Sequence, residues 1–166
     1  MIRVGIITAS DKGSKGERED QSGKVIQEMV EEKGLKVVEY VILPDERAQL
    51  SEMMKTWCDE KRVDLILTTG GTGFSKRDCT PEATLDIVEK QVPGIPEAMR
   101  YYSLQITPRA MLSRSAAGIR KDTLIINLPG SPKAVRENLE SIMGSLQHGI
   151  EILIGSASEC AMPDHK

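Results

Sequence analysis

With 166 residues, 39% of them apolar and 28% charged, the chain has the size and make-up of one globular domain, which excludes a disordered or low-complexity class. A net charge of −3, with acidic and basic residues interleaved, excludes the cationic face that a nucleic-acid backbone or an anionic membrane requires. Any phosphate it binds must be held locally.

Residues 1–10 form a short apolar run with one Arg and no small-residue cleavage site, which reads as a first strand, Arg3–Ala9, rather than a signal peptide. A polar loop follows, with Ser10, Asp11, Gly16, Asp20, Ser22 and Gly23, and it is long enough to act as a lid. Val25, Ile26, Met29 and Val30 share one face of a helix that Gly34 would end. A second strand is expected at Lys36–Leu43, a second helix has Leu50, Met53, Met54, Trp57 and Cys58 on one face, and a third strand is expected over 63–69. These strands, with a fourth at Thr123–Leu128, are apolar and β-branched and read as buried on both faces, as parallel strands are.

Thr80-Pro81-Glu82 marks a third helix start: Thr80 as cap, Pro81 at the first helical position, Glu82 complementing the dipole. Pro93, Pro96 and Pro108 are expected to break the stretch from 93 into short helical pieces, and residues 113–120 to form an extra strand or hairpin. Ser131-Pro132 repeats the start signal before a long helix carrying Val135, Leu139, Ile142, Met143 and Leu146. With no linker and no repeat, the expected fold is α/β, a single three-layer domain over residues 1–166 with a mainly parallel sheet and helices on both faces. Its ligand site belongs at the C-terminal ends of the strands.

No segment approaches transmembrane length. Cys58, Cys79 and Cys160 are odd in number and nowhere spaced as CxxC, which points away from a disulfide framework or structural zinc and toward the reducing cytoplasm.

The third strand runs straight into Thr69-Gly70-Gly71-Thr72-Gly73, where bare backbone N–H groups and hydroxyls can approach an anion closely. A tight strand-to-loop turn is the plain alternative. No Gly-Lys-Ser or Gly-Lys-Thr follows at Walker spacing and the third glycine of a dinucleotide fingerprint is missing, so neither of those phosphate loops applies. Arg77 is suited to pair with a phosphate, and Asp78 to hold Mg²⁺ or to make a cap or turn before Thr80. Asp45, at the end of the second strand, can face the same crevice or cap the helix starting near Glu46. Gly130-Ser131 forms a second strand-to-helix turn, with Gly130 free to take positive φ, that serves either as a plain turn or as an anion contact. Cys79, with no neighbouring His, reads as a small hydrophobe; His148 and His165 read as neither ligands nor bases, and Trp57 and the methionines as core.

Five ordered motifs carry a resemblance that spans essentially the whole chain. They are Pro44-Asp45-Glu46; Thr69-Gly70-Gly71-Thr72-Gly73; Arg77-Asp78 with Thr80-Pro81-Glu82-Ala83; Met111-Leu112-Ser113-Arg114-Ser115-Ala116-Ala117-Gly118; and Leu128-Pro129-Gly130-Ser131-Pro132. Together they resemble the molybdopterin adenylyltransferase family of molybdenum-cofactor biosynthesis, including the corresponding domains of the plant enzyme and gephyrin.

That resemblance implies transfer of AMP from Mg-ATP to the terminal phosphate of molybdopterin, with release of pyrophosphate. It implies Asp45 and Asp78 as essential carboxylates, at least one binding Mg²⁺. Gly70, Gly71, Thr72, Gly73 and the Gly130-Ser131 turn would line the nucleotide pocket, and Ser113, Arg114 and Ser115 would hold the pterin. It further implies a homotrimer and a molybdate-insertion enzyme as partner, although the C-terminus is shorter than in some members. The alternatives are a non-catalytic, pterin-binding oligomeric paralogue and the molybdate-insertion step itself, against which the chain's length speaks.

Overall fold

The computed structural model describes residues 1–156. One six-stranded sheet contains β1 (Arg3–Ala9), β2 (Lys36–Leu43), β3 (Leu65–Thr69), β4 (Lys90–Gln91), β5 (Ala117–Arg120) and β6 (Thr123–Leu128), in the order β2-β1-β3-β6-β5-β4. The first four strands in that order run parallel, and β5 and β4 add an antiparallel edge. The helices are α1 (Asp11–Ser14), α2 (Gln21–Glu32), α3 (Arg47–Asp59), α4 (Thr80–Leu85), α5 (Gly94–Leu104) and α6 (Pro132–Leu153), with a 3-10 helix at Pro108–Leu112.

Alternation along the central strands produces two cores, one per face. Val4 and Ile6, Leu65 and Leu67, and Leu124, Ile126 and Leu128 pack with α2, α5 and α6. Ile7 and Ala9, Ile66, and Ile125 pack with Leu50, Met54 and Trp57 of α3 and Ala83 of α4. The expected three-layer α/β domain is therefore the observed one. The chain passes from β1 out to β2 and back to β3 on the other side of β1, so a crevice opens beyond the C-terminal ends of β1 and β3.

Four expectations need correction. β2 is not buried on both faces: Lys36, Val38 and Tyr40 are exposed, because this strand forms one edge of the sheet. Pro96 does not break its segment, since it lies in the first turn of α5, where a missing N–H costs no helical bond. Thr80 is not the cap of α4; Cys79 occupies that position without a side-chain bond. Gly130 does not take a positive φ.

The expected extra strand is β5, joined to β6 as a hairpin, and Gly34 follows α2 at φ 77° as a helix stop. Cys160 and His165 lie outside the described residues. Among the described residues no helix is long and apolar enough to cross a membrane.

Candidate active site

The crevice is a cavity of about 700 Å³ whose wall includes Thr69 at the end of β3, Gly70 and Gly71 beyond it, Asp45 after β2, Arg77 and Asp78 before α4, and Gly130 before α6. Thr72, Gly73, Ser131, Ser113, Arg114 and Ser115 lie outside that lining.

The glycine turn is held by what surrounds it. Gly70 has φ 90° and Gly71 φ 68°, conformations that L side chains resist. A Cβ on Gly70 would overlap the Ala9 carbonyl oxygen, and one on Gly71 would overlap the Thr80 hydroxyl. Thr80 explains why it is not spent on capping: its Oγ1 donates to Gly70 O at 2.9 Å and its N–H to Gly71 O at 3.1 Å. The start of α4 is thus bonded directly to the turn.

Both aspartates reach the same turn. A Cβ on Gly71 would stand 3.1 Å from Asp45 Oδ1, and one on Gly73 would stand 2.9 Å from Asp78 Oδ2. Asp45 does not cap α3; Glu46 holds that position, and Asp45 Oδ2 accepts the Asp11 N–H at 3.0 Å. Asp78 makes a local turn, with Oδ2 accepting the Ser75 N–H at 3.1 Å. Burial raises the Asp45 pKa, and the charges of Asp11 and Asp78 add to that, against the Asp11 N–H and Arg77.

Arg77 is engaged on the protein itself. Its Nε and Nη2 donate to Asp11 at 3.0 and 2.9 Å, and Nη2 also to Glu46 Oε1 at 2.7 Å. These bonds hold the Asp11 carboxyl below the usual carboxylate range and raise the Arg77 pKa. Thr69 and Ser131 are likewise committed, Thr69 Oγ1 donating to Pro129 O at 2.7 Å and Ser131 Oγ accepting the Ala134 N–H at 3.2 Å as the cap of α6.

The polar stretch after β1, which the sequence marked without assigning roles to its residues, supplies further parts of the wall. Asp20 lines the cavity and caps α2, accepting the Gly23 N–H at 2.9 Å, the Thr8 hydroxyl at 2.6 Å and the Tyr40 hydroxyl. Burial and then Asp20 push the Tyr40 phenol pKa up. The cap-like spacing of Asp20 and Gly23 was the available signal. Lys12 and Arg18 also border the cavity, and the stretch expected as one polar loop is partly helical: Lys12 lies in α1, and Ser22 and Gly23 lie in the first turn of α2. Beneath the turn, buried Asn127 donates to Thr68 Oγ1 at 3.0 Å and Thr84 Oγ1 at 2.8 Å, and accepts the Ala116 N–H at 3.1 Å.

Residues 5–148 match the family described as a probable molybdopterin binding domain. The chain belongs to that family. Among members of the molybdopterin-binding family, the molybdopterin adenylyltransferase of Helicobacter pylori strain J99 is 46% identical over 157 residues, spanning 93% of this chain and 89% of that protein. Gephyrin of Dictyostelium discoideum is 45% identical over 171 residues, which span 97% of this chain and 24% of gephyrin. The solved structure of the molybdopterin biosynthesis enzyme MoaB from Thermus thermophilus superposes with a TM-score of 0.89 at 46% identity, over 93% of this chain and 98% of that one. In this member of the family, the two motif aspartates and the glycine turn share one crevice at the switch point of the sheet.

Proposed function

We propose that this chain is a molybdopterin adenylyltransferase, which transfers AMP from ATP to the terminal phosphate of molybdopterin and releases pyrophosphate. The observation that carries this reading is that Asp45, against Gly71, and Asp78, against Gly73, flank one glycine run and both line a cavity of about 700 Å³. That volume lies in the range of small-molecule sites. Relatives with that name, 38 to 46% identical over most of the chain, support it.

In such a transfer a phosphate oxygen of molybdopterin attacks the α-phosphorus, and the bond to pyrophosphate breaks. The protein's contribution is alignment and charge neutralisation. Gly70 and Gly71 let main-chain N–H groups come close to phosphate oxygens. Gly130 stands beside the turn, where a Cβ on it would come 3.5 Å from Gly70 Cα, and Ser22 Oγ donates to its carbonyl at 2.7 Å, so the N-terminal end of α2 is tied to the glycine turn. Ser113 and Ser115 flank the residue bonded to Thr72 and are assigned to the pterin.

The donor set fits Mg²⁺. Among the described residues no three His, Cys, Asp or Glu side chains form a metal cluster, but Mg²⁺ needs only one or two carboxylates beside water and phosphate oxygens. Asp45 and Asp78 each keep Oδ1 without a hydrogen-bond donor among the described residues, and their mutual repulsion is relieved by a cation. Bound there, Mg²⁺ would neutralise charge on the phosphates.

Exposed Tyr101, Leu104 and Ile106 on and after α5, with Met111 and Leu112, support a homo-oligomer, which we read as the trimer that the family resemblance implies. Free Cys58 and Cys79 suit the cytoplasm.

Purified protein given molybdopterin, Mg²⁺ and α-labelled ATP is expected to form labelled adenylyl-molybdopterin, and Asp78→Asn to slow this about 100-fold or more with an unchanged circular dichroism spectrum. Absence of label transfer by the parent protein overturns the reading and leaves a non-catalytic pterin-binding member.

A further inference from the structure

Arg114 belongs to the segment that the resemblance assigns to the pterin, yet its side chain is spent elsewhere. Nε donates to Gly73 O at 2.7 Å, Nη2 donates to Asp78 O at 3.1 Å, and Nη1 pairs with Glu82 Oε1. Its own N–H donates to Thr72 O at 2.9 Å. One residue therefore grips the carbonyls at both ends of the loop from Gly73 to Asp78. Ser75, Arg77 and Asp78 of that loop line the cavity, while Arg114 does not.

Resting on the adenylyl-transfer reading of the site, we infer that Arg114 is a positioning residue. It closes the loop that presents Asp78 and does not itself hold the pterin. The Nε/Nη2 edge of its guanidinium is fully used and the other edge is half used by Glu82, so a bidentate grip on a substrate phosphate requires release of the loop.

The clamp also has a firm base. Arg100 Nη1 donates to Ser113 O at 3.3 Å and Ser115 O at 3.1 Å, and Ser113 Oγ donates to Ser115 Oγ at 3.0 Å, which fixes the main chain on both sides of Arg114. Inside the loop, Asp78 N–H donates to Ser75 O at 3.0 Å, and Asp78 Oδ2 accepts the Ser75 N–H at 3.1 Å. The direction of the free Asp78 oxygen follows from how this loop is closed. Glu82 ties the clamp to α4 and depends on it, because its Oε2 is buried with no partner among the described residues. Only a planar fork of donors spans two carbonyls and a carboxylate together. A lysine can match the charge but not that geometry.

The test is Arg114→Lys in the full-length protein beside the parent. The expected result is a kcat for label transfer at least tenfold lower, a molybdopterin dissociation constant measured without ATP within twofold of the parent's, and amide hydrogen exchange at least tenfold faster over residues 73–79, with β1 and β6 unchanged. A pterin dissociation constant tenfold higher with kcat retained at saturation shows a substrate contact and overturns the inference. Unchanged exchange with unchanged kcat overturns it equally. Should the lysine variant not fold, Arg114→Ala supplemented with methylguanidinium replaces it, with recovery of kcat expected and recovery of pterin affinity alone contrary. Pterin binding and hydrogen exchange need no turnover, so a parent without transfer activity strikes the proposed function while the loop clamp is still judged on its own.

Discussion

Asp11 and Asp45 hold each other in both directions: the Asp11 N–H donates to Asp45 Oδ2 at 3.0 Å, and the Asp45 N–H donates to Asp11 Oδ1 at 3.0 Å. Arg77 then takes both oxygens of Asp11, so the start of α1, the end of β2 and the loop before α4 are joined around one half-buried carboxylate. The arrangement favours the site over the fold. Asp45 is kept close to other negative charges and partly out of water, where its ionised form is strained.

That strain gives the first prediction. Because the Asp45 pKa is raised in the folded protein, ionising it costs the folded state more than the unfolded one. The cost is present at neutral pH and disappears as the pH falls and the group becomes neutral in both states. Asp45→Asn keeps an acceptor for the Asp11 N–H and removes the charge. It is expected to melt higher than the parent at about pH 7, to converge with it toward about pH 4, and to lose about 100-fold or more in transfer rate. Calorimetry across that range checks it, and a variant melting lower than the parent at neutral pH contradicts the assigned strain.

The second prediction concerns what supports the turn from below. Asn127 sits at full burial between Thr68 and Thr84 and bonds both, while taking the Ala116 N–H. Asn127→Ala removes the donor to the Thr68 and Thr84 hydroxyls, of which Thr84 keeps its bond to Thr80 O at 3.0 Å, leaves the Ala116 N–H without its acceptor, and opens a small cavity. A loss of about 3 kcal/mol in urea unfolding is expected. A loss below about 1 kcal/mol means that these groups find other partners.

Asn127 also shows where reading the sequence stops. In β6 it looks like one polar interruption of an apolar strand, and its partners stand 59 and 43 positions away, so no local pattern names them. The motifs at Asp45, Thr69 to Gly73 and Gly130-Ser131 were legible because each follows a strand that an apolar, β-branched run had already marked, and in a parallel sheet those ends gather on one side. The edge position of β2 was not legible in the same way. Val37, Val41 and Leu43 do face the fold, but whether another strand covers Val38 and Tyr40 depends on strand order, which crossovers decide. Thr80 misled for a related reason: its sequence context suits a cap, and the stronger acceptors offered by the Gly70 and Gly71 carbonyls exist only once β3 is in place.

The third prediction separates backbone freedom from close approach. Gly70 and Gly16 both have positive φ, at 90° and 73°, so alanine strains either by about 1–2 kcal/mol. At Gly16 a Cβ meets nothing within 4 Å, whereas at Gly70 it meets the carbonyl of Ala9. That carbonyl ends a strand held on both sides by β2 and β3 and has little room to retreat. Gly16→Ala is therefore expected to cost only the backbone strain and to leave ATP affinity within about threefold, a change worth less than about 1 kcal/mol. Gly70→Ala should cost about 3 kcal/mol or more and weaken ATP binding at least tenfold, because the turn must move off the phosphate position to clear Ala9. Urea unfolding and isothermal titration of both variants decide between these outcomes. Equal costs at the two positions would mean that the turn needs glycine for its φ alone and that its packing against β1 contributes nothing to the site.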